Sequence, residues 1–258
     1  MTPFLAAENI VEHLLDYQRH GSLTAHQFLL IGIAVFTIVL FTVMNLRTTE
    51  VPPKKGIFGL LEFGMVWLRD EVVYPWLGPE RGRRYLGFFW TMFFFILFCN
   101  LCGLLPFPLN PWERTATGNL AVTGALAAIT FLVTQIAGMR QHGYLKYWIN
   151  LVPKGTPIFL WPLLFVIEFI GLFTKPFALT VRLFANMTGG HAALLAMFGF
   201  LYFVPHANRS VLGIPTTVAS FGFILFILLL ETLIALIQAY IFTILSAIFV
   251  SLAVAEEH

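Results

Sequence analysis

IFLWPLLFVIEFIGLFTKPFALTVRLFANMTGGHAALLAMFGFLYFV, residues 158–204, decides what kind of molecule this is. The stretch is apolar at most positions, yet it carries Glu168, Lys175, Arg182 and His191. As a helix, the part from Ile158 to Phe200 alone would measure about 64 Å, roughly twice the thickness of a hydrocarbon core. A straight upright helix is therefore excluded. Either the segment breaks into two crossings or it stays one helix tilted by about 60°, beyond the usual range of tilts. The spacing of its polar residues favours one tilted helix, and Pro162 and Pro176 can bend a helix in lipid without ending it.

That spacing is regular. Glu168, Lys175 and Arg182 stand seven apart and Asn186 follows Arg182 by one turn. At about 100° per residue, the three charges drift only about 40° and Asn186 returns to the azimuth of Glu168, so the four make one stripe. His191 falls near the opposite face and needs another partner. The next apolar segment, residues 211–254, offers Glu231 and Gln238, again seven apart on one stripe. In an antiparallel hairpin, residues at equal depth are equidistant from the turn. Arg182 with Gln238 and His191 with Glu231 are both centred near residue 210 or 211, inside the turn-like HANRSVLG. The spacing thus predicts Arg182 beside Gln238 and His191 near Glu231.

Outward from this pair of segments the chain remains a membrane protein. Hydrophobic residues make up 59% and charged residues 11% of the sequence, so water is not the main solvent of the fold. Uncharged runs at 28–46, 86–105 and 119–139 predict three further crossings, the second stopped by PFPLNP. Residues 57–77 differ. Leu60, Leu61, Met65, Leu68 and Val72 recur at spacings of three and four, interrupted by Glu62, Arg69 and Asp70, which suits an amphipathic helix in the interface. The predicted fold is a single all-α membrane domain over 1–258 with five membrane-inserted helices and one interfacial helix. Residues 1–26 have no basic cluster leading an apolar core and do not read as a cleaved signal peptide. No internal repeat of the transporter kind is present.

Basic residues set the expected orientation. Arg47, Lys54, Lys55, Arg69, Arg81, Arg83 and Arg84 lie between the first two crossings, and Arg140, Lys146 and Lys154 follow the third. Those loops should face the cytoplasm, with residues 1–26 outside and Glu256, Glu257 and His258 inside. Cys99 and Cys102 lie in an apolar run without further metal ligands, so they are expected to pack. No basic stripe with aromatics points to nucleic acid, no phosphate-binding glycine loop points to nucleotide chemistry, and no cofactor or metal is expected. His191 as the one histidine well inside a span excludes a haem held by two histidines.

All the ionisable residues well inside apolar spans, Glu168, Lys175, Arg182, His191 and Glu231, belong to the last two segments. Each costs about 2.5–3.5 kcal/mol at the bilayer centre, so a function must compensate. A carboxylate and an imidazole at one depth can exchange protons near neutral pH. Arg182 cannot lose its charge and so cannot relay protons; it can repel a cation or attract an approaching carboxylate. Two half-paths separated by a fixed positive charge fit this set better than one open pore. Residue chemistry leaves some roles open: Lys175 can snorkel, Glu168 can be an interfacial carboxylate, and Asn186 and Gln238 can be interhelical hydrogen-bond partners.

KPFALTVRLFANMTGGH together with ETLIALIQAYIFTILSAIF closely resembles the a subunit of F-type ATP synthases, the stator partner of the rotating c-ring. The likeness extends over LRDEVVYPWLG, FCNLCGLLP, GNLAVTGALA and the closing AEEH. It implies that the long hairpin lies tilted beside the c-ring, with Arg182 facing a c-subunit carboxylate and preventing a short circuit between half-channels. It implies that Asn186, His191, Glu231 and Gln238 line the half-channel open to the outer side and that Glu168 stands near the other. Lys175 is a further possible path residue. The implied partners are the c-ring, the b subunits of the peripheral stalk and the bilayer. The implied location is a bacterial plasma membrane in preference to an organellar one, and catalysis of ATP synthesis lies in other subunits. The histidine here stands on the penultimate helix and the glutamate on the last, the reverse of some bacterial members. Thr117 replaces an aspartate of some members and receives no channel role.

Overall fold

The computed structural model describes residues 19–20, 23–46, 56–104, 116–149, 152, 157, 159–207 and 213–255. The chain is an all-α multi-pass membrane protein, with five helices long and apolar enough to cross a bilayer. A single antiparallel rung pair, β1 (Arg19–His20) with β2 (Leu23–Thr24), precedes the first helix, with Arg19 opposite Thr24. It is the one strand pairing among the described residues and was not anticipated from the sequence.

Helix α1 spans Ala25–Leu46 and α2 spans Ile57–Leu68. A π-helical turn, Arg69–Val73, joins α2 to α3 (Tyr74–Gly103). Gly78 breaks α3 with φ 73° and ψ 163°, a conformation that a side chain would resist. Pro79 then restarts the helix, where its missing N–H costs nothing. The segment expected as interfacial, 57–77, therefore consists of α2, the π turn and the first arm of α3. The crossing expected to begin at 86 belongs to a helix that begins at Pro79. Glu80, Arg81, Arg83 and Arg84 hide that start from an apolarity criterion, because helix geometry continues beyond the apolar window.

A 3-10 turn at Ala116–Gly118 leads into α4 (Leu120–His142), and the short α5 (Tyr144–Ile149) follows a turn at Gly143. Helix α6 runs without interruption from Trp161 to Ala207, through Pro162, Pro176 and Pro205, and α7 spans Gly213–Val254. Pro162 sits in the first turn of α6, where no hydrogen bond is lost. The turn expected within HANRSVLG falls at 208–212, outside the described residues.

Side chains on α7 are distributed as lipid demands. Leu225, Phe226, Leu229 and Leu233 are more than half exposed, whereas Ala235, Ala239, Thr243, Ser246 and Ala247 are fully buried. Lipid is as apolar as leucine, so association between membrane helices depends on close packing of small residues. Thr243 and Ser246 satisfy their hydroxyls on the carbonyls of Ala239 and Phe242 one turn back, at 2.8 and 2.7 Å.

Two compact units make up the chain. The first takes 1–36, 95–119 and 183–238; the second takes 37–94, 120–182 and 239–258. In the first, Ile33 and the free, fully buried Cys99 pack with Leu29, Leu30, Phe95 and Phe98, and Phe36 meets Phe98 edge-on at 5.3 Å. In the second, Trp67 lies 6.4 Å from Phe93 and 5.5 Å from Tyr240, and Trp90 Nε1 donates to the Met65 carbonyl at 2.9 Å. Ser251 Oγ donates to the Trp76 carbonyl at 2.6 Å, and an Arg81 guanidinium nitrogen donates to the Val254 carbonyl at 3.3 Å. The last turns of α7 are thereby fastened to the arm of α3 before the kink and to the first turn after it.

Candidate functional site

In the first unit, α6 and α7 bring three described polar side chains together, Glu231, Asn186 and Gln238. Glu231 is 5% exposed, and among the described residues neither carboxyl oxygen has a hydrogen-bond partner. Buried polar groups are almost always satisfied, so this carboxyl needs a role beyond packing. It lies against the backbone of α6 at Gly190, where a Cβ would stand 2.6 Å from Glu231 Oε1. One helical turn before Gly190, Asn186 donates through Nδ2 to Gln238 Oε1 at 2.9 Å. Gln238 is 1% exposed, and its Nε2 has no partner among the described residues. A cavity of about 10 Å3 between Asn186, Met187, Gly190, Glu231 and Ile234 is on the scale of one water. The site therefore has a carboxyl, an amide pair and space for one small hydrogen-bonding molecule. His191 is helical beside Gly190, but its side chain, and with it the expected approach to Glu231, lies outside the described residues.

A second buried polar group of the same unit was not read from the sequence. Thr117 Oγ1 donates to Asn100 Oδ1 at 2.7 Å, and Asn100 Nδ2 reaches the Ala235 carbonyl, one turn beyond Glu231, at 3.5 Å. Both side chains are fully buried. The signal available was an asparagine in the otherwise apolar FFFILFCNLCGLL. Gly190 gave no signal, because a glycine's value as clearance appears only when the facing helix is present.

The second unit holds Arg182, Lys175 and Glu168 on α6. Arg182 is exposed on the helix surface, and among the described residues its guanidinium pairs with no carboxylate. Lys175 Nζ lies 5.6 Å from the centre of the Phe249 ring, a cation–π contact. Glu168 and Lys175 both line a cavity of about 510 Å3, together with Gln135 of α4 and Tyr147 of α5. Burial pushes the Tyr147 hydroxyl above the usual phenol value, with its neighbour Gln135 pulling the other way. Tyr147 and Gln135 were not singled out from the sequence, since neither is ionised at neutral pH.

Fold and site define a class: a multi-pass membrane protein with a buried carboxyl that has no partner among the described residues, and an arginine exposed on the surface of a long apolar helix. The sequence matches the ATP synthase A chain family over residues 27–251. It is 40% identical over 249 residues to ATP synthase subunit a of Myxococcus xanthus, covering 95% of this chain and 77% of that protein. With subunit a of Chloroherpeton thalassium it shares 43% identity over 239 residues, 92% of this chain and 68% of the relative. With that of Chlorobium phaeobacteroides it shares 42% over 241 residues, 92% and 67%. The chain belongs to the ATP synthase A chain family, the proton-translocating membrane subunit of the F-type ATP synthase. It is thus a member of a complex that contains a c-ring and in which catalysis belongs to other subunits.

Proposed function

We propose that this chain carries protons through two offset half-channels beside the c-ring. Protons enter from the outer side past His191 and Glu231, with Asn186 and Gln238 lining that path, and protonate a c-subunit carboxylate. Rotation brings the loaded carboxylate to the Glu168 side, where the proton leaves. Arg182 faces the deprotonated c-subunit carboxylate and holds it loosely, because a tight buried pair would stall rotation. Its permanent charge blocks direct passage between the half-channels. Lys175 contributes positive potential on the exit side. The chain has no catalytic site of its own, contacts the b subunits of the peripheral stalk, and sits in a bacterial plasma membrane with its N-terminus outside and its C-terminus in the cytoplasm.

The observation that supports this reading most is the Glu231 carboxyl, buried against Gly190 beside the Asn186–Gln238 pair, with neither oxygen hydrogen-bonded among the described residues. Arg182, exposed and without a carboxylate partner among the described residues, supports the partner assignment, since a cation within an apolar span requires a compensating group. The test is ATP-driven and potential-driven proton flux in vesicles carrying the complete complex with Arg182→Ala. Loss of coupled flux is expected; preserved coupled flux would reject the assignment.

A further inference from the structure

Asn100, near the end of α3, and Thr117, in the 3-10 turn that leads into α4, are both fully buried in the first unit. Their chemistry fixes how the amide is turned. A backbone carbonyl can only accept, so Asn100 Nδ2 must face the Ala235 carbonyl, at 3.5 Å; that leaves Oδ1 for Thr117, whose Oγ1 donates to it at 2.7 Å. Within α7 the Ala235 carbonyl serves the N–H four residues on, and Asn100 takes its second lone pair. A contact to the backbone has no rotamer to yield, so it fixes the rotation and height of the helix itself. Ala235 is also fully buried, and its methyl side chain leaves room for α3 to come this close. At about 100° per residue, Glu231, Ala235 and Gln238 share about 60° of the α7 surface, so the gripped residue lies on the face that carries the carboxyl and the amide. Turning α7 by about 10° would carry an atom about 6 Å from its axis through about 1 Å. Glu231 Oε1 has no such freedom, because a Cβ at Gly190 would already stand 2.6 Å from it.

We propose that Asn100, oriented by Thr117, is a positioning residue for Glu231: it grips α7 by the Ala235 backbone and so holds the carboxyl in its seat at Gly190. Its own hydrogen bonds go to a hydroxyl and a backbone carbonyl, so its effect on protons is exerted through α7. This rests on the reading that Glu231 carries protons, and it adds the residues outside the hairpin that keep the carboxyl in place.

The test uses the complete complex in vesicles, with proton flux expressed per assembled complex. Thr117→Val keeps the shape and removes the donated hydrogen, which strands Asn100 Oδ1. Flux should fall about fivefold, the equivalent of one lost hydrogen bond, and Thr117→Ser should stay within about twofold of the unaltered complex. Asn100→Leu, which removes both bonds and frees α7 to turn, should cost about tenfold or more. In a Glu231→Gln background no titrating carboxyl is left to place, so Thr117→Val should there change flux by less than about twofold. Unchanged flux in Thr117→Val, or a loss that serine does not repair, would overturn the proposal. A further fall of about fivefold on top of Glu231→Gln would also overturn it, because the pair would then act independently of the carboxyl. Fewer assembled complexes with normal flux in each would leave the pair a folding role alone and overturn it as well. If Glu231→Gln by itself leaves flux unchanged, the parent reading falls; if Glu231→Gln abolishes flux while Thr117→Val and Asn100→Leu are silent, the positioning role falls alone.

Discussion

Glu231 and Glu168 are the same side chain in two opposite settings. Glu231 is sealed, 5% exposed, beside a cavity of about 10 Å3 and against a helix backbone. Glu168 is half-buried at the wall of a cavity of about 510 Å3. A sealed carboxyl can trade protons only with the few groups that touch it, whereas one on a wet wall trades with water. The first should be intolerant of small geometric change and the second forgiving.

The largest effect should follow removal of the sealed carboxyl. Glu231→Gln keeps the shape and loses the titration, and proton flux should fall about a hundredfold or more, the usual worth of a positioned acid or base. Exchanging the residues, His191→Glu with Glu231→His, should recover more flux than the worse single variant; if it does not, the two are not a cooperating pair. Next is Gly190→Ala, which places a methyl group where Glu231 Oε1 lies. The carboxyl must move, and flux should drop about tenfold with assembly intact, as about 1 Å of misplacement can cost more. Normal flux in that variant would show that the carboxyl is less confined than described.

A smaller effect is expected from the amide pair. Asn186→Leu and Gln238→Leu should each slow flux, and their double-mutant cycle should show coupling of about 1 kcal/mol, the worth of one hydrogen bond. Strict additivity would mean that the 2.9 Å contact does no joint work. On the side of the larger cavity, Glu168→Gln should cost only about threefold, because a space of that size leaves room for bridging water to substitute for a lost direct partner. The smallest change, less than about twofold, is expected for Lys175→Gln, which removes one exposed-type cation–π contact.

The two regions also differ in how much of them was legible in the sequence. Apolar runs at helical length read as crossings, and the spacings of four from Arg182 to Asn186 and seven from Glu231 to Gln238 put these side chains on stripes. Equal-depth reasoning set Gln238 beside Arg182; in the structure the Gln238 amide oxygen accepts from Asn186, one turn further along α6. A fraction of a turn is set by side-chain packing, which spacing does not encode. The restart of α3 at Pro79 after the Gly78 kink, the π turn at Arg69–Val73 and the β1–β2 rung depend on local backbone choices within polar segments, where periodicity is silent. Gln135, Tyr147 and Asn100 stayed invisible because a neutral polar residue in an apolar run looks like packing until its hydrogen bonds can be counted.

The most direct test of the account is an image of the intact complex that resolves Arg182 and the c-ring. The account predicts the guanidinium within about 5 Å of a c-subunit carboxylate, close enough for direct or water-bridged contact, at the depth of the bilayer centre. A guanidinium turned to the headgroups, or paired with Glu231 of its own chain, would contradict it.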